Sequence, residues 1–205
     1  FNAKIKNLGL ESDMTKYESP GDLRSSVMRS LGKVSNVDLA KESTYLGKFG
    51  GYDLYMPHTR EASCTLGEDT SWCTAVAGKG NNLFYNYVAK LQAAVRYGGD
   101  VYLFYLIGDE SVKENTPLEY TKMSLGYVND KIIWPKKYSD GGGLTVTGKN
   151  NGLTEEDAQR VLGGSQLMNV EDAIEKYVSQ RKSEGRSHPA KDKFMQLAKN
   201  PLLLQ

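Results

Sequence analysis

The stretch "VYLFYLI", Val101 to Ile107, decides the fold. It is a continuous apolar and aromatic run with a β-branched residue at each end. A half-buried strand alternates apolar with polar residues, so an unbroken run of this length reads as a central strand covered on both faces. A polar loop follows, and then "YTKMSLGYVNDKIIW", 120–134, reads as a hairpin turning at Asn129–Asp130. "GGGLTVTG", 141–148, reads as a weaker last strand.

Upstream, "GGYDLYMP", 50–57, reads as a strand opened by glycines and closed by Pro57. Two short helices are expected next, "TREASCTL" ending at Gly67 and "SWCTAVA" ending at Gly78. A longer helix is expected from Asn81 or Asn82 to Gly98. Residues 1–18 are polar and unpatterned, an extended lead-in. Ser19, Pro20 and Gly32 then bracket a first helix, with Leu23, Val27 and Leu31 on one face.

From Thr154 the texture becomes helical: "TEEDAQRVLG", "NVEDAIEKYVSQRK" and "PAKDKFMQLAK". Thr154 and Asn169 suit N-caps, with carboxylates in the turns behind them. Those acidic clusters need no catalytic explanation. "KSEGRSHPAKDK", 182–193, reads as a linker. The expected fold is α+β: a small antiparallel sheet with strands near 51–56, 101–107, 119–127 and 131–134, helices 59–97 on one face, and a helical C-terminal appendage. The implied division is 1–18 lead-in, 19–150 α+β core domain and 151–205 appendage.

The bulk numbers exclude more than they assign. The 205 residues are 39% hydrophobic and 25% charged, with a net charge of +1, so no global field draws the chain to nucleic acid or anionic lipid. No run approaches the ~18 apolar residues of a membrane span, and the opening "FNAKIKNLGLESD" lacks the apolar core of a signal peptide. The first residue is Phe1, which is expected of an excised domain, a processed product or part of a longer polypeptide. Two cysteines and two histidines make neither a disulfide framework nor a metal-ligand doublet. No cofactor is expected.

Chemistry concentrates in Thr70-Ser71-Trp72-Cys73. If Thr70 caps a helix, Cys73 falls in its first turn, where the dipole favours a thiolate. A nucleophilic cysteine also needs a base, and His58 or Lys122 would have to serve. The competing reading is that Trp72 and Cys73 fill the core between helix and sheet. "GLTVTGKN", 143–150, nearly matches a phosphate-binding loop, but Asn150 offers no hydroxyl to magnesium and Thr-Val-Thr favours a strand. The tyrosines around Tyr85, Tyr87, Tyr102 and Tyr105 could stack bases, yet helix-on-sheet packing explains the same pattern. Arg60, Thr70-Ser71 and Glu119 do not sit where ADP-ribosyl transfer would need them. The basic tail 176–199 is the one place where weak contact with nucleic acid or an acidic partner is conceivable.

Taken together, Ala62, Ser63, Gly67, Thr70, Trp72, Cys73, Thr74, Phe84, Tyr87, Tyr102, Lys122 and Trp134 form a recurrent pattern. An Ala-Ser before a Gly leads to T-x-W-C-T, an F-x-x-Y pair, an aromatic strand and a Lys-led hairpin ending in Ile-Trp. Over about residues 50–140 it resembles a group of domains associated with tailed-bacteriophage genomes. The resemblance implies a phage setting, in the virion or the host cytoplasm, and no particular chemistry. Two function classes are therefore carried forward. One is a non-catalytic structural or interaction domain that binds phage or host proteins through its helical ends, with Thr70, Trp72, Cys73, Thr74, Tyr87 and Trp134 as structural residues. The alternative is a cysteine-dependent hydrolase or acyl transferase with Cys73 as nucleophile and Lys122 or His58 assisting.

Overall fold

The computed structural model of the chain describes residues 37–68, 70, 72–75, 83–89, 100–137, 145–146 and 153–199. The lead-in, the first helix, Ser71, Gly78, Asn81–Asn82, most of the helix expected up to Gly98, and most of 141–150 lie outside the described residues. In chain order the elements are α1 (Leu39–Glu42), β1 (Ser43–Phe49), β2 (Tyr52–Pro57), α2 (Arg60–Leu66), α3 (Phe84–Val88), β3 (Tyr102–Gly108) and α4 (Glu110–Asn115). A 3₁₀ turn (Leu118–Tyr120) then leads to β4 (Lys122–Val128), β5 (Lys131–Ile133), β6 (Lys136–Lys137) and β7 (Thr145–Val146). Three helices close the described chain: α5 (Glu155–Leu162), α6 (Gly164–Ser183) and α7 (Pro189–Lys199).

The fold is α+β. Strands β1 to β5 form one antiparallel sheet in sequence order, and β6 pairs with β7 in a separate parallel ladder. The 120–134 hairpin forms as expected, with Asn129 at φ 51 and Asp130 at φ 59. Those are the left-handed values that a two-residue type I′ turn needs. Strand β1 was not foreseen. A bulge between Tyr45 and Gly47 breaks its alternation, and the two glycines read as the start of a strand are the tip of the β1–β2 hairpin.

β3 is central and buried on both sides, as its apolar run requires. One face of the sheet presents Leu54, Met56, Phe104, Leu106, Met123 and Leu125 to Ala158, Leu162, Leu167, Val170, Ile174 and Val178 of α5 and α6. The opposite face carries Leu103 and Tyr105, covered by α2, the 72–75 turn and α3. Helices lie on both faces of the sheet, and residues after 151 supply the layer that covers the Phe104–Leu106 face. The physical reason is β3 itself. A strand apolar on both sides, covered on one, would leave the Phe104–Leu106 face in water.

Thr154 caps α5 in a capping box with Asp157, as expected. Asn169, by contrast, lies inside α6, which starts at Gly164 because Leu167 continues the buried stripe of Val170, Ile174 and Val178. The supposed linker is a packed crossover. α6 ends in a Schellman motif, with Arg186 N–H donating to Arg181 O (2.9 Å) and Gly185 N–H to Lys182 O (3.0 Å), Gly185 taking φ 67. The chain then rounds the end of the sheet past His188, which is fully buried, and α7 docks on the other face with Ala190 against the Phe84–Leu103 cluster.

Candidate functional site

The T-x-W-C-T residues build a packing knot on β3. Thr59 caps α2, accepting from Ala62 N–H (3.1 Å), and α2 buries Ala62, Ser63 and Leu66. Gly67 ends that helix where a Cβ would come within 2.3 Å of Ala75 Cβ and 3.2 Å of the Trp72 ring. Thr70 Oγ1 donates to Gly67 O (2.7 Å), closing the reversal. Trp72 is buried, its ring centroid 4.8 Å from that of Tyr105. Its indole N–H is buried without an acceptor among the described residues.

Beneath the indole three hydroxyls form a closed circuit. Ser63 Oγ donates its single hydrogen to Thr74 O (2.6 Å). The Tyr105 hydroxyl, 2.7 Å away, must therefore donate to Ser63 Oγ. Thr74 Oγ1 then donates to the Tyr105 oxygen at 2.6 Å. All three residues are buried, and burial pushes the Tyr105 phenol well above its ordinary range despite its hydroxyl partners. Sequence reasoning placed Ser63 and Thr74 in the motif and missed Tyr105 as their hub. The available signal was a polar-tipped ring at the middle of an otherwise apolar central strand.

The described residues 72–75 form a turn rather than the first turn of the expected helix. Cys73 is exposed rather than a core filler. Crowding around its sulfur raises the thiol pKa, and the hydrogen bond with the Tyr87 side chain offsets only part of that. The two assisting residues are not brought together. Lys122 shares a row with Ile107 and Asp53 at one end of the sheet, where its Nζ donates to Glu68 O (2.6 Å). His58 follows the last residue of β2 at the other end, its Nε2 2.8 Å from Thr44 Oγ1. Five residues of strand separate the rows of Asp53 and His58, about 17 Å at the usual rise. They cannot both reach one sulfur. Trp134 is buried and donates from Nε1 to Glu171 Oε1 (3.4 Å), tying the hairpin end to α6.

A concavity of about 730 Å³ opens at the Lys122 end, between the close of α2, the β2–β3 rows and α4. Tyr55, Leu66 and Ile107 make an apolar floor, and Leu118 stands 66% exposed at the rim. Five carboxylates line it, from Asp53, Glu68, Asp109, Glu110 and Glu119, against Lys113 and Lys122. Lys48 pairs with Asp109 (2.6 Å) and Lys113 with Glu110 (2.7 Å). The Lys48 hydrogen bond is the main reason that the Asp109 carboxyl titrates below its usual range. Glu68 and Glu119 have no ion-pair partner among the described residues. Asp53 accepts from the neutral Tyr45 hydroxyl (3.0 Å). The cleft is therefore apolar below and net acidic above. Strand alternation in "GGYDLYMP" was a readable signal, since it puts Asp53 and Tyr55 on one face; the carboxylates from other elements were not foreseeable as a group.

Among the described residues no group of His, Cys, Asp and Glu side chains could hold a metal ion, and no helix is long and apolar enough to cross a membrane. Comparison with protein-family models, curated proteins and solved structures finds no match.

Proposed function

We propose that the chain is a non-catalytic interaction domain of a bacteriophage protein, virion-borne or injected, that binds a partner polypeptide. The phage setting rests on the sequence resemblance over residues 50–140. The non-catalytic reading is carried by one observation: the T-x-W-C-T residues are engaged with one another and with Tyr105, while Cys73, Lys122 and His58 do not converge. Lys122 and His58 stand at opposite ends of the sheet, so no more than one of them could serve as the base that a cysteine nucleophile needs.

The apolar residues of α5, α6 and α7 pack against the sheet and α3. The acidic cleft suits a partner better. Glu68 and Glu119, without an ion-pair partner among the described residues, and the floor of Tyr55, Leu66 and Ile107 complement a basic segment carrying an aliphatic anchor. The test is titration with two synthetic peptides, one Lys/Arg-rich with a central Leu and one with acidic residues in place of the basic ones. The basic peptide binds, its affinity falling about tenfold as ionic strength rises from ~50 to ~500 mM. The Glu68→Gln/Glu119→Gln double variant weakens it by a similar factor. Equal binding of the two peptides, or no effect of the double variant, refutes the proposal.

A further inference from the structure

At the opposite end of the sheet a second cleft, of about 580 Å³, lies where the chain crosses from α6 to α7. Thr44, His58, Arg181, Arg186 and Ser187 line it, with Asp192 as the opposing charge. Arg181 is held in place rather than waving in solvent. Its Nε and Nη2 both donate to Ser187 O (3.1 and 2.6 Å), and its guanidinium lies 5.9 Å from the Tyr177 ring centroid. Among the described residues no carboxylate pairs with it. A fixed guanidinium with donors left over and no carboxylate bonded to it among the described residues is a pre-organised anion receptor. Arg186, two-thirds exposed, is shared with Glu184 at 3.3 Å, a weak surface pair that an anion can displace.

The same corner is short of acceptors. His188 sits between the lining residues Ser187 and Pro189 and is fully buried. Its Nδ1 accepts from Ala190 N–H (2.9 Å), which leaves the ring hydrogen on Nε2, a buried donor without a partner among the described residues. Burial, and then the charges of His58, Arg181 and Lys191, hold the His188 pKa well below its ordinary range. Around the crossover Glu184 pairs with Arg186 and Asp100 with Lys191, which leaves Arg181 as the cation without an ion pair among the described residues.

We propose that this cleft binds a compact phosphate group, either inorganic phosphate or the phosphomonoester end of a small molecule, with Arg181 and Arg186 as its principal ligands. Its volume exceeds a bare phosphate and leaves room for the molecule that carries one. The site is independent of the peptide cleft, which lies at the other end of the sheet.

The experiment is calorimetric titration of the folded chain with inorganic phosphate and with ribose 5-phosphate at constant ionic strength, followed by Arg186→Gln and Asp192→Asn. Both side chains are exposed or at the rim, so the fold survives either change. Saturable binding is expected, weakened at least about threefold in Arg186→Gln and tightened about threefold in Asp192→Asn. Arg181→Lys, which keeps the charge but loses the fork, weakens binding further. The tighter of the two ligands identifies the source of the phosphate. No saturable binding, or identical affinity in wild type, Arg186→Gln and Asp192→Asn, overturns the proposal. So does a single-stranded oligonucleotide binding where neither small phosphate does.

Discussion

Tyr105 is where the aromatic character of β3 and the polarity of the motif meet. Replacing it with Phe keeps the ring against Trp72 but removes the hydroxyl that joins Ser63 to Thr74. Two buried hydrogen bonds are lost, so Tyr105→Phe should lower unfolding free energy by about 2 kcal/mol in urea denaturation. Cys73→Ser, one residue from the circuit but exposed, should change it by less than about 0.5 kcal/mol. His188 gives a pH dependence with a definite sign. Its pKa is depressed in the folded state, so below the unfolded value of about 6.5 the unfolded chain binds a proton that the native chain does not. Stability should therefore fall as pH drops from 7.5 to 5, and less steeply in His188→Asn, whose amide oxygen can still accept from Ala190 N–H. Thermal melts across that range measure the difference in slope. At this scale the packing role of Trp72 was legible, because an indole behind a short helix and facing a central strand has one place to go. The exposure of Cys73 was not, because the direction of a side chain in a turn depends on dihedral angles that composition does not specify.

Elements with strong local signals formed where the sequence put them. Asn129–Asp130 demanded a tight hairpin, and Thr154 with Asp157 demanded a helix start. Because Asn129 sits at φ 51, Asn129→Ala should cost about 1 kcal/mol, whereas Asn129→Gly should be near neutral. Chemical denaturation of the two variants checks this. Elements with conflicting signals were misread. β1 carries a bulge that spoils its period of two, so it did not register as a strand. "SWCTAVA" has adequate helix propensity, but Trp72, Thr74 and Ala75 are pinned to β3 and α2, and the described part is a turn. α6 begins five residues ahead of its apparent cap, because burying Leu167 outweighs a cap at Asn169.

At the scale of the molecule, the sheet separates two layers of helix and carries a cleft at each end. The both-faces burial of β3 was readable from seven letters, but which segment supplies the second layer was not, since long-range pairing leaves little trace in one sequence. A chain ending at residue 150 tests the layering. It would expose the Leu54, Met56, Phe104, Leu106 and Leu125 face, and should lose near-ultraviolet circular dichroism and bind hydrophobic dye rather than keep a native core. A folded, dispersed spectrum from that fragment would mean that 151–205 is an appendage after all.

The central claim is that the Trp–Cys motif is structural and that its thiol is not activated. The most direct measurement is the rate of alkylation of Cys73 against pH in the folded chain, with Cys64→Ser as background. Since Cys73 is exposed and burial around its sulfur raises the thiol pKa, the account predicts modification without unfolding, with an apparent pKa above the free-thiol range. Fast alkylation at neutral pH, with an apparent pKa well below the free-thiol value of about 8.5, would contradict it and restore the cysteine enzyme.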